Sequence, residues 1–150
     1  MLMGGDSSVF LGVERPDWAW AKPTDARGSV YAVTGDYVSI AAGRVSFVLG
    51  MQGPCASFDT ACSASMVACH SAARALQHHE CDAHLAIGIN MMLLQVSQFV
   101  FAIAGMTSPT GRSRTFDHRA DGYARSEGAS ALAMSRDKYV ISFRGSAVRQ

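Results

Sequence analysis

The sequence predicts a layered α/β domain, in which helices pack against a β-sheet. Short apolar runs of strand length alternate along the chain with segments of helical pattern. One uncharged apolar run, residues 85–93, has the composition of a central strand that is buried on both faces. The length of 150 residues suits one ordinary domain, and the apolar fraction of 49% predicts a well-buried core.

The first third of the chain is expected to form a strand, an interrupted segment and a helix. Residues 9–13 have the composition of a short buried strand. Residues 14–29 contain two prolines and are typical of a loop or a broken helix. Residues 37–49 are a helix candidate, after which the Gly and Pro residues of the segment 50–54 turn the chain.

The remaining two thirds continue the same alternation of strands and helices. The expected elements are a strand from Cys55 to Thr60, a helix at 63–77, the central strand at 85–93, a polar loop at 107–121, and two strands at 128–134 and 139–147.

The long uncharged segment 85–111 raises the question of a membrane span. A spanning helix requires about 20 predominantly apolar residues. Polar residues interrupt this segment, and Gly88, Gly105 and Pro109 bound its apolar parts. A buried strand–loop–helix therefore fits better, and the N-terminus lacks the basic region and apolar core of a signal peptide. We expect no membrane association.

The charge distribution argues against nucleic acid as a partner. The formal net charge is +1, which creates no strong field for nucleic acid or anionic lipid. Four arginines between Arg112 and Arg125 alternate with Asp117, Asp121 and Glu127. This pattern favours an ion-paired loop surface, with the docking of an acidic protein as the alternative.

The four cysteines indicate a reducing compartment. They form no Cys-x-x-Cys pair, so we expect no metal site, and their positions suit no disulfide framework. The expected localisation is cytoplasmic, and an organelle remains an open alternative.

Cys62 stands at the most informative point of the chain. A stretch that begins with Gly53 and Pro54 leads into a tight Asp-Thr-Ala-Cys corner, and an Ala-rich helical pattern starts directly behind the thiol. The first turn of a helix has unpaired N–H groups and the positive end of the backbone dipole, both of which stabilise a thiolate. Such N–H groups also stabilise an oxyanion at an attacked carbonyl.

The simpler interpretation of any free cysteine is a small buried apolar residue. Cys55, Cys69 and Cys81 fit that interpretation. The corner separates Cys62 from them, but it leaves both interpretations of Cys62 open.

Several blocks of the sequence, in order and with matching gaps, resemble the active-site region of β-ketoacyl synthases, and most closely the ketosynthase domains of modular polyketide synthases. The blocks are residues 39–54, 59–66 around Cys62, 80–83, 88–93, 105–112, 116–128 and 145–148. One departure is Ser130, where the family more often has glycine.

The resemblance implies the thiolase-like fold, a layered αβαβα architecture. Residues 1–150 would be a partial ketosynthase domain, the central part of its N-terminal half around the nucleophile, with family segments missing at both ends. In the family, the strand that here runs from Cys55 to Thr60 pairs with its symmetry mate, so the complete domain is expected to be a homodimer.

The resemblance also implies an acyltransferase activity. Cys62 matches the family nucleophile, which takes an acyl group from a thioester. The acyl group then condenses, with loss of carbon dioxide, with a malonyl-type extender on the phosphopantetheine of acyl carrier protein. The pathway would be polyketide or fatty acid biosynthesis, and no bound cofactor is expected.

Two family histidines, which lie downstream of the cysteine, are absent from this chain. His70 follows Cys62 by eight residues in one predicted helix, or about 12 Å along the axis, which is too far for a base. The other four histidines are expected to be structural. The alternatives are therefore a non-catalytic ketosynthase-like scaffold and an unrelated cysteine hydrolase, and the ordered blocks argue against the hydrolase.

Overall fold

The computed structural model describes residues 5–14, 17–136 and 142–149. Within these residues the chain forms a four-stranded sheet with helices on both sides. The elements are β1 (Ser7–Val13), α1 (Trp18–Ala21), α2 (Ala32–Asp36), α3 (Val38–Leu49), β2 (Cys55–Phe58), α4 (Ala64–Gln77), β3 (Ala83–Asn90), α5 (Gln95–Ile103) and β4 (Gly128–Ser135), with 3₁₀ turns at Asp25–Gly28 and Ala61–Ser63.

The sheet is mixed, with the strand order β2-β1-β3-β4. β1 pairs in parallel with both β2 and β3, whereas β4 pairs antiparallel with β3. The two crossovers into β2 and β3 carry α3 and α4, as parallel connections require. The carboxyl ends of β1, β2 and β3 therefore meet at one edge, which is also where β4 begins.

Alternate residues of β1 face opposite layers, since side chains alternate along a strand. Phe10 packs with the small residues of α4, among them Ala68 and Ala72, on one face of the sheet. Val9 and Leu11 pack on the other face with residues of α3. The prediction of a layered α/β arrangement is confirmed.

The turns between elements follow their sequence signals. α3 ends at Gly50, whose left-handed conformation (φ 64°) suits glycine, and the Met51 N–H donates to the Ser46 carbonyl behind it. Such a glycine cap stops the helix and directs the chain into β2.

Four sequence expectations need correction. The helix in the uncharged segment was expected to be buried. In the structure this helix, α5, carries exposed large apolar side chains such as Phe99 and Ile103. The core is therefore smaller than the composition predicts. α2 has no counterpart among the expected elements. Of the predicted strand at 139–147, residues 142–147 form no regular structure, and 139–141 lie outside the described residues.

Two further expectations concern the surface. None of the described helices is long and apolar enough to cross a membrane. The loop arginines are largely ion-paired, as predicted: Arg119 binds Asp117 at 2.7 Å and Arg114 lies 3.4 Å from Asp121. Arg125 pairs with Glu14.

Candidate active site

Cys62 lies in the 3₁₀ turn that connects β2 to α4, and its side chain is exposed. β2 delivers the chain to the carboxyl edge of the sheet, and α4 returns along the sheet face. The expected strand–corner–helix arrangement is present, with the thiol at the helix start.

The corner before Cys62 is backbone-strained and held by local hydrogen bonds. Ala61 has φ 52°, in the left-handed region that non-glycine residues rarely adopt. The Asp59 carboxylate accepts the Ala61 N–H at 3.2 Å, and the Ser63 hydroxyl donates to the Thr60 carbonyl at 2.8 Å. A conformation of this kind costs on the order of 1 kcal/mol and persists because its surroundings fix it.

The N–H of Cys62 makes no hydrogen bond within the part of the chain that the structure describes. The neighbouring Ser63 N–H, by contrast, is used by the Thr60 carbonyl. The free N–H beside the thiol is a donor of the kind that stabilises an oxyanion.

Two glycines of the sheet determine how closely α4 approaches behind the thiol. A Cβ at Gly12 would lie 2.4 Å from the backbone of Ala64, and a Cβ at Gly88 would lie 2.7 Å from Cβ of Ser65. Real Cβ atoms do not come so close, so only glycine lets the first turn of α4 rest on β1 and β3. The sheet therefore supports the first turn of α4, directly after Cys62.

A cleft of about 740 Å³ opens beside Cys62 at the carboxyl edge of the sheet. The ends of β1 and β3 and the segment leading into β4 form its sides, and Phe101 of α5 and Met106 lie on its wall. Its volume is that of a small-molecule site. Ser130 of β4 also lines the cleft and is exposed, so this departure from the family pattern places no side chain in the core.

The cleft wall before β4 is fastened to the end of β3. The Asn90 amide donates to the Ser126 carbonyl at 2.7 Å, and the Glu127 carboxylate accepts the Met92 N–H at 2.7 Å. The second of these contacts joins segments that are 35 residues apart in sequence. Sequence reasoning missed both contacts, since no local pattern signals such a pair.

Asp17 and Arg125 hold α5 in place. The Asp17 carboxylate accepts the Leu94 N–H at 3.2 Å and the Ser97 hydroxyl at 3.1 Å, which caps the start of α5 from a distant loop. The Arg125 guanidinium lies 4.2 Å from the Phe101 ring centre, in a cation–π contact. Arg125 and Glu14 also line a second cavity of about 140 Å³, which shares this wall with the main cleft.

The other cysteines differ from Cys62 in their surroundings. Cys81 is buried with its sulfur 3.3 Å from the Ser8 hydroxyl, and burial raises the pKa of the Cys69 thiol. Cys55 is exposed, contrary to the expectation that it is buried, because it begins an edge strand. Cys62 is the only one of the four that lines the cleft.

None of the described histidines lines the cleft. Ring nitrogens of His70, His78 and His79 contact Ser146, Arg74 and Arg136 respectively, and His118 lies beside Asp117. His84 is fully buried, neither of its ring nitrogens has a partner among the described residues, and burial lowers its pKa to about 4.

The chain matches the family model described as Beta-ketoacyl synthase, N-terminal domain, over residues 2–139. It is 41% identical over 136 residues to the non-reducing polyketide synthase olcA of Penicillium canescens, covering 90% of this chain and 6% of that protein. It is 38% identical over 162 aligned positions to one component of the phenolphthiocerol/phthiocerol polyketide synthase of Mycobacterium tuberculosis, covering 99% of this chain and 7% of the relative.

Solved structures of ketosynthases share the fold. The oxazolomycin ketosynthase domain OzmH KS7 of Streptomyces albus superposes with a TM-score of 0.79 at 30% identity, covering 88% of this chain and 23% of that one. The module 6 ketosynthase of the bacillaene synthase of Bacillus subtilis gives a TM-score of 0.73 at 34% identity, covering 90% and 22%. The thiolase-like fold expected from the sequence is confirmed, and the chain spans less than a quarter of these ketosynthases.

Proposed function

The chain belongs to the β-ketoacyl synthase family, as a part of a ketosynthase domain of the polyketide synthase kind, and we propose that Cys62 is its acyl-accepting nucleophile. The observation that carries the proposal is the position of Cys62. Its thiol is exposed, follows a strained corner at the start of α4, and lines a cleft of about 740 Å³.

In the proposed transfer, the Cys62 thiolate attacks the carbonyl carbon of an acyl thioester. The oxyanion that forms is stabilised by the free N–H of Cys62 and by the positive end of α4. The bond to the leaving thiol then breaks, that thiolate takes up a proton, and the acyl group remains on Sγ. The cleft holds the acyl chain, and the close contact of α4 with Gly12 and Gly88 fixes the position of the thiol.

In the proposed condensation, a malonyl-type extender on acyl carrier protein loses carbon dioxide. The electron pair released forms a carbon–carbon bond to the acyl carbonyl carbon, and Sγ of Cys62 leaves as a thiolate. The family carries out this step with two histidines that have no counterpart in this chain. All five histidines of this chain lie away from the cleft lining, which supports the view that none of them takes part in the condensation.

The proposed assembly of the complete domain is a homodimer through β2. This strand is at the edge of the sheet, and its side chains Ala56 and Phe58 are packed against the core on the α4 side. A partner would therefore pair with the backbone of β2 rather than with an apolar side-chain surface. The N–H of Val9 on β1 donates to the Pro54 carbonyl, and alternate residues of β2 bond to β1 in a parallel ladder. The backbone N–H and C=O groups of Cys55 and Ser57 therefore point away from β1, toward a possible partner.

The direct test is acyl trapping. The protein is incubated with an acyl N-acetylcysteamine thioester, and the adduct is located by peptide mass spectrometry. We expect one acyl group on Cys62 and none on a Cys62→Ala variant, with Cys69→Ala as the matched control that retains acylation. Absence of any adduct would favour the non-catalytic scaffold, and release of free acid would indicate a hydrolase.

A further inference from the structure

The direction in which Cys62 points is set by the backbone conformation of the residue before it. Ala61 has φ 52°, a left-handed conformation that alanine rarely adopts. An alanine without a compensating interaction favours the right-handed region, because its Cβ comes too close to the following carbonyl in the left-handed one. A change of this dihedral angle would send the chain from the end of β2 in another direction and would turn the N–H and the side chain of Cys62 with it.

Asp59 makes the contact that holds Ala61 in this conformation. The Asp59 carboxylate accepts the Ala61 N–H at 3.2 Å, across two residues, which is the hydrogen bond of an Asx turn. Within the described residues the Ala61 N–H makes no other hydrogen bond. The free energy of one hydrogen bond to a carboxylate is of the same order as the cost of a left-handed alanine. The Asp59 contact is therefore large enough to determine which conformation Ala61 adopts.

The other hydrogen bonds of the corner bypass Ala61. The Ser63 hydroxyl donates to the Thr60 carbonyl at 2.8 Å and lies 2.9 Å from the Thr60 hydroxyl. The Ser63 N–H donates to the same carbonyl at 3.2 Å. These contacts close the turn across Ala61 and Cys62, but none of them involves the Ala61 N–H, which is left to Asp59.

Acylation depends on the placement of two groups of Cys62 at once. Sγ must approach the carbon of the thioester carbonyl while the Cys62 N–H, which has no partner among the described residues, approaches its oxygen. A misplacement of about 1 Å in such a geometry can cost roughly 100-fold in rate. Alkylation by iodoacetamide forms no oxyanion, so it requires the accessible thiolate alone.

We propose that Asp59 is a positioning residue for the acylation of Cys62, which acts by holding Ala61 in its left-handed conformation. This inference rests on the proposed function of Cys62 and specifies how the geometry of that site is maintained. The carboxylate acts through the backbone and not through its charge, because a negative charge near a developing oxyanion would destabilise it.

The experiment compares two rates for Cys62, acylation by hexanoyl N-acetylcysteamine thioester and alkylation by iodoacetamide. Asp59→Ala removes the acceptor and should lower the acylation rate about fivefold, the ratio that corresponds to one hydrogen bond, while the alkylation rate changes by less than about twofold. Asp25→Ala is the matched control, because it removes an exposed carboxylate that does not line the cleft, and should keep both wild-type rates.

Two conservative variants separate position from charge. Asp59→Asn keeps an acceptor oxygen at the same distance along the side chain and removes the charge, so its acylation rate should stay close to that of the wild type. Asp59→Glu keeps the charge but moves the carboxylate farther along the side chain, out of the Asx turn. Its acylation rate should be as low as that of Asp59→Ala.

The variant Ala61→Gly tests whether the effect passes through the backbone. Glycine adopts the left-handed conformation without the steric cost of a Cβ, so it does not need the Asp59 contact. In the Ala61→Gly background, Asp59→Ala should therefore slow acylation by less than about twofold, whereas independent effects would give the same loss in both backgrounds. Circular dichroism checks that each variant is folded. If Asp59→Ala is not folded, the rates of Asp59→Asn and Asp59→Glu decide the matter.

Wild-type acylation of Asp59→Ala would overturn the inference. An acylation rate of Asp59→Asn well below that of Asp59→Glu, or an undiminished effect of Asp59→Ala in the Ala61→Gly background, would also overturn it. Each of these results leaves the acylation of Cys62 in the wild-type protein intact. If the thioester does not acylate Cys62 in the wild-type protein, the proposed function itself fails and the inference fails with it.

Discussion

Gly12 on β1 and Gly88 on β3 are directly paired in the parallel register, and the first turn of α4 rests on both of them. The hypothetical Cβ at Gly12 meets Ala64 backbone, which cannot move without moving the helix. The corner that contains Cys62 leads directly into that turn. The position of the thiol therefore depends on two residues of the sheet that have no side chain.

Replacing Gly12 with alanine is expected to displace the start of α4. We expect the free energy of unfolding to fall by about 1–3 kcal/mol, as for overpacking, and the acylation rate of Cys62 to fall with it. Gly43→Ala is the control, because this glycine is within α3 and nothing lies within 4 Å of its Cβ position. That change should stabilise the protein by about 0.5–1 kcal/mol. Urea unfolding measures both, and unchanged stability of Gly12→Ala would show that the close contact does not constrain α4.

His84 predicts a pH dependence of stability. Burial lowers its pKa to about 4 from 6.5, so between these values the unfolded chain binds a proton that the folded chain does not. The contribution of His84 to stability is constant above pH 6.5 and decreases as the pH falls toward 4. The expected loss between pH 7 and pH 5 is about 2 kcal/mol.

The variant His84→Leu should remove that loss, measured by urea unfolding at pH 7 and pH 5. The exposed His118 gives the control, since His118→Gln removes a histidine without changing the core. A pH dependence that persists in His84→Leu would assign it to other groups.

If the complete domain dimerises through the edge strand β2, a proline in that strand should weaken the dimer. Cys55→Pro removes an outward-facing N–H at the start of β2, where no hydrogen bond to β1 is lost. We expect sedimentation of a complete domain to shift from dimer toward monomer, whereas Cys55→Ser should remain dimeric. A dimer that is unaffected by Cys55→Pro would exclude this edge as the interface.

Residues 1–150 are expected to be acylated but not to condense. Loss of one general acid–base or electrostatic group costs roughly 10²–10⁴-fold in rate, and both family histidines are absent. Purified protein is given an acyl thioester and a malonyl carrier protein, and product is sought by mass spectrometry. β-Ketoacyl product at a substantial rate would show that another group of this chain acts in their place.

The layered fold could be predicted because periodicity and turn residues are local signals. The predicted strands at 9–13, 55–60 and 85–93 correspond to β1, β2 and β3 within three residues at each end. The helix predictions at 37–49 and 63–77 match α3 and α4 within one residue. In these elements, local propensity and tertiary packing favour the same structure.

The burial of particular side chains could not be predicted in the same way. The apolar composition of α5 predicts burial. In the structure the helix contacts the rest of the protein through side chains such as Phe101, which packs against Arg125, and its other apolar side chains are exposed. Cys55 is exposed because β2 is an edge strand, and strand order is a property of the whole sheet. Composition contains neither piece of information.

Around the site, the sequence predicted the strand–corner–helix arrangement at Cys62 but not the contacts that support it. The cap of α5 by Asp17 joins that residue to Ser97, 80 positions away, and the contact of Glu127 with the Met92 N–H joins residues 35 apart. The charge pattern predicts that Arg125 pairs with acidic residues of its own loop, but its partner is Glu14. Contacts between distant segments depend on how the sheet brings them together.

The alkylation rates of the four cysteines test most directly whether Cys62 is the nucleophile. Folded protein is treated with limiting iodoacetamide, and each cysteine is quantified by peptide mapping, with urea-unfolded protein as the reference in which all four react. We predict that Cys62 reacts first, ahead of Cys55, which is also exposed, and that prior treatment with an acyl thioester protects Cys62 alone. Faster alkylation of Cys55, Cys69 or Cys81 in the folded protein would contradict the assignment of Cys62 as the nucleophile.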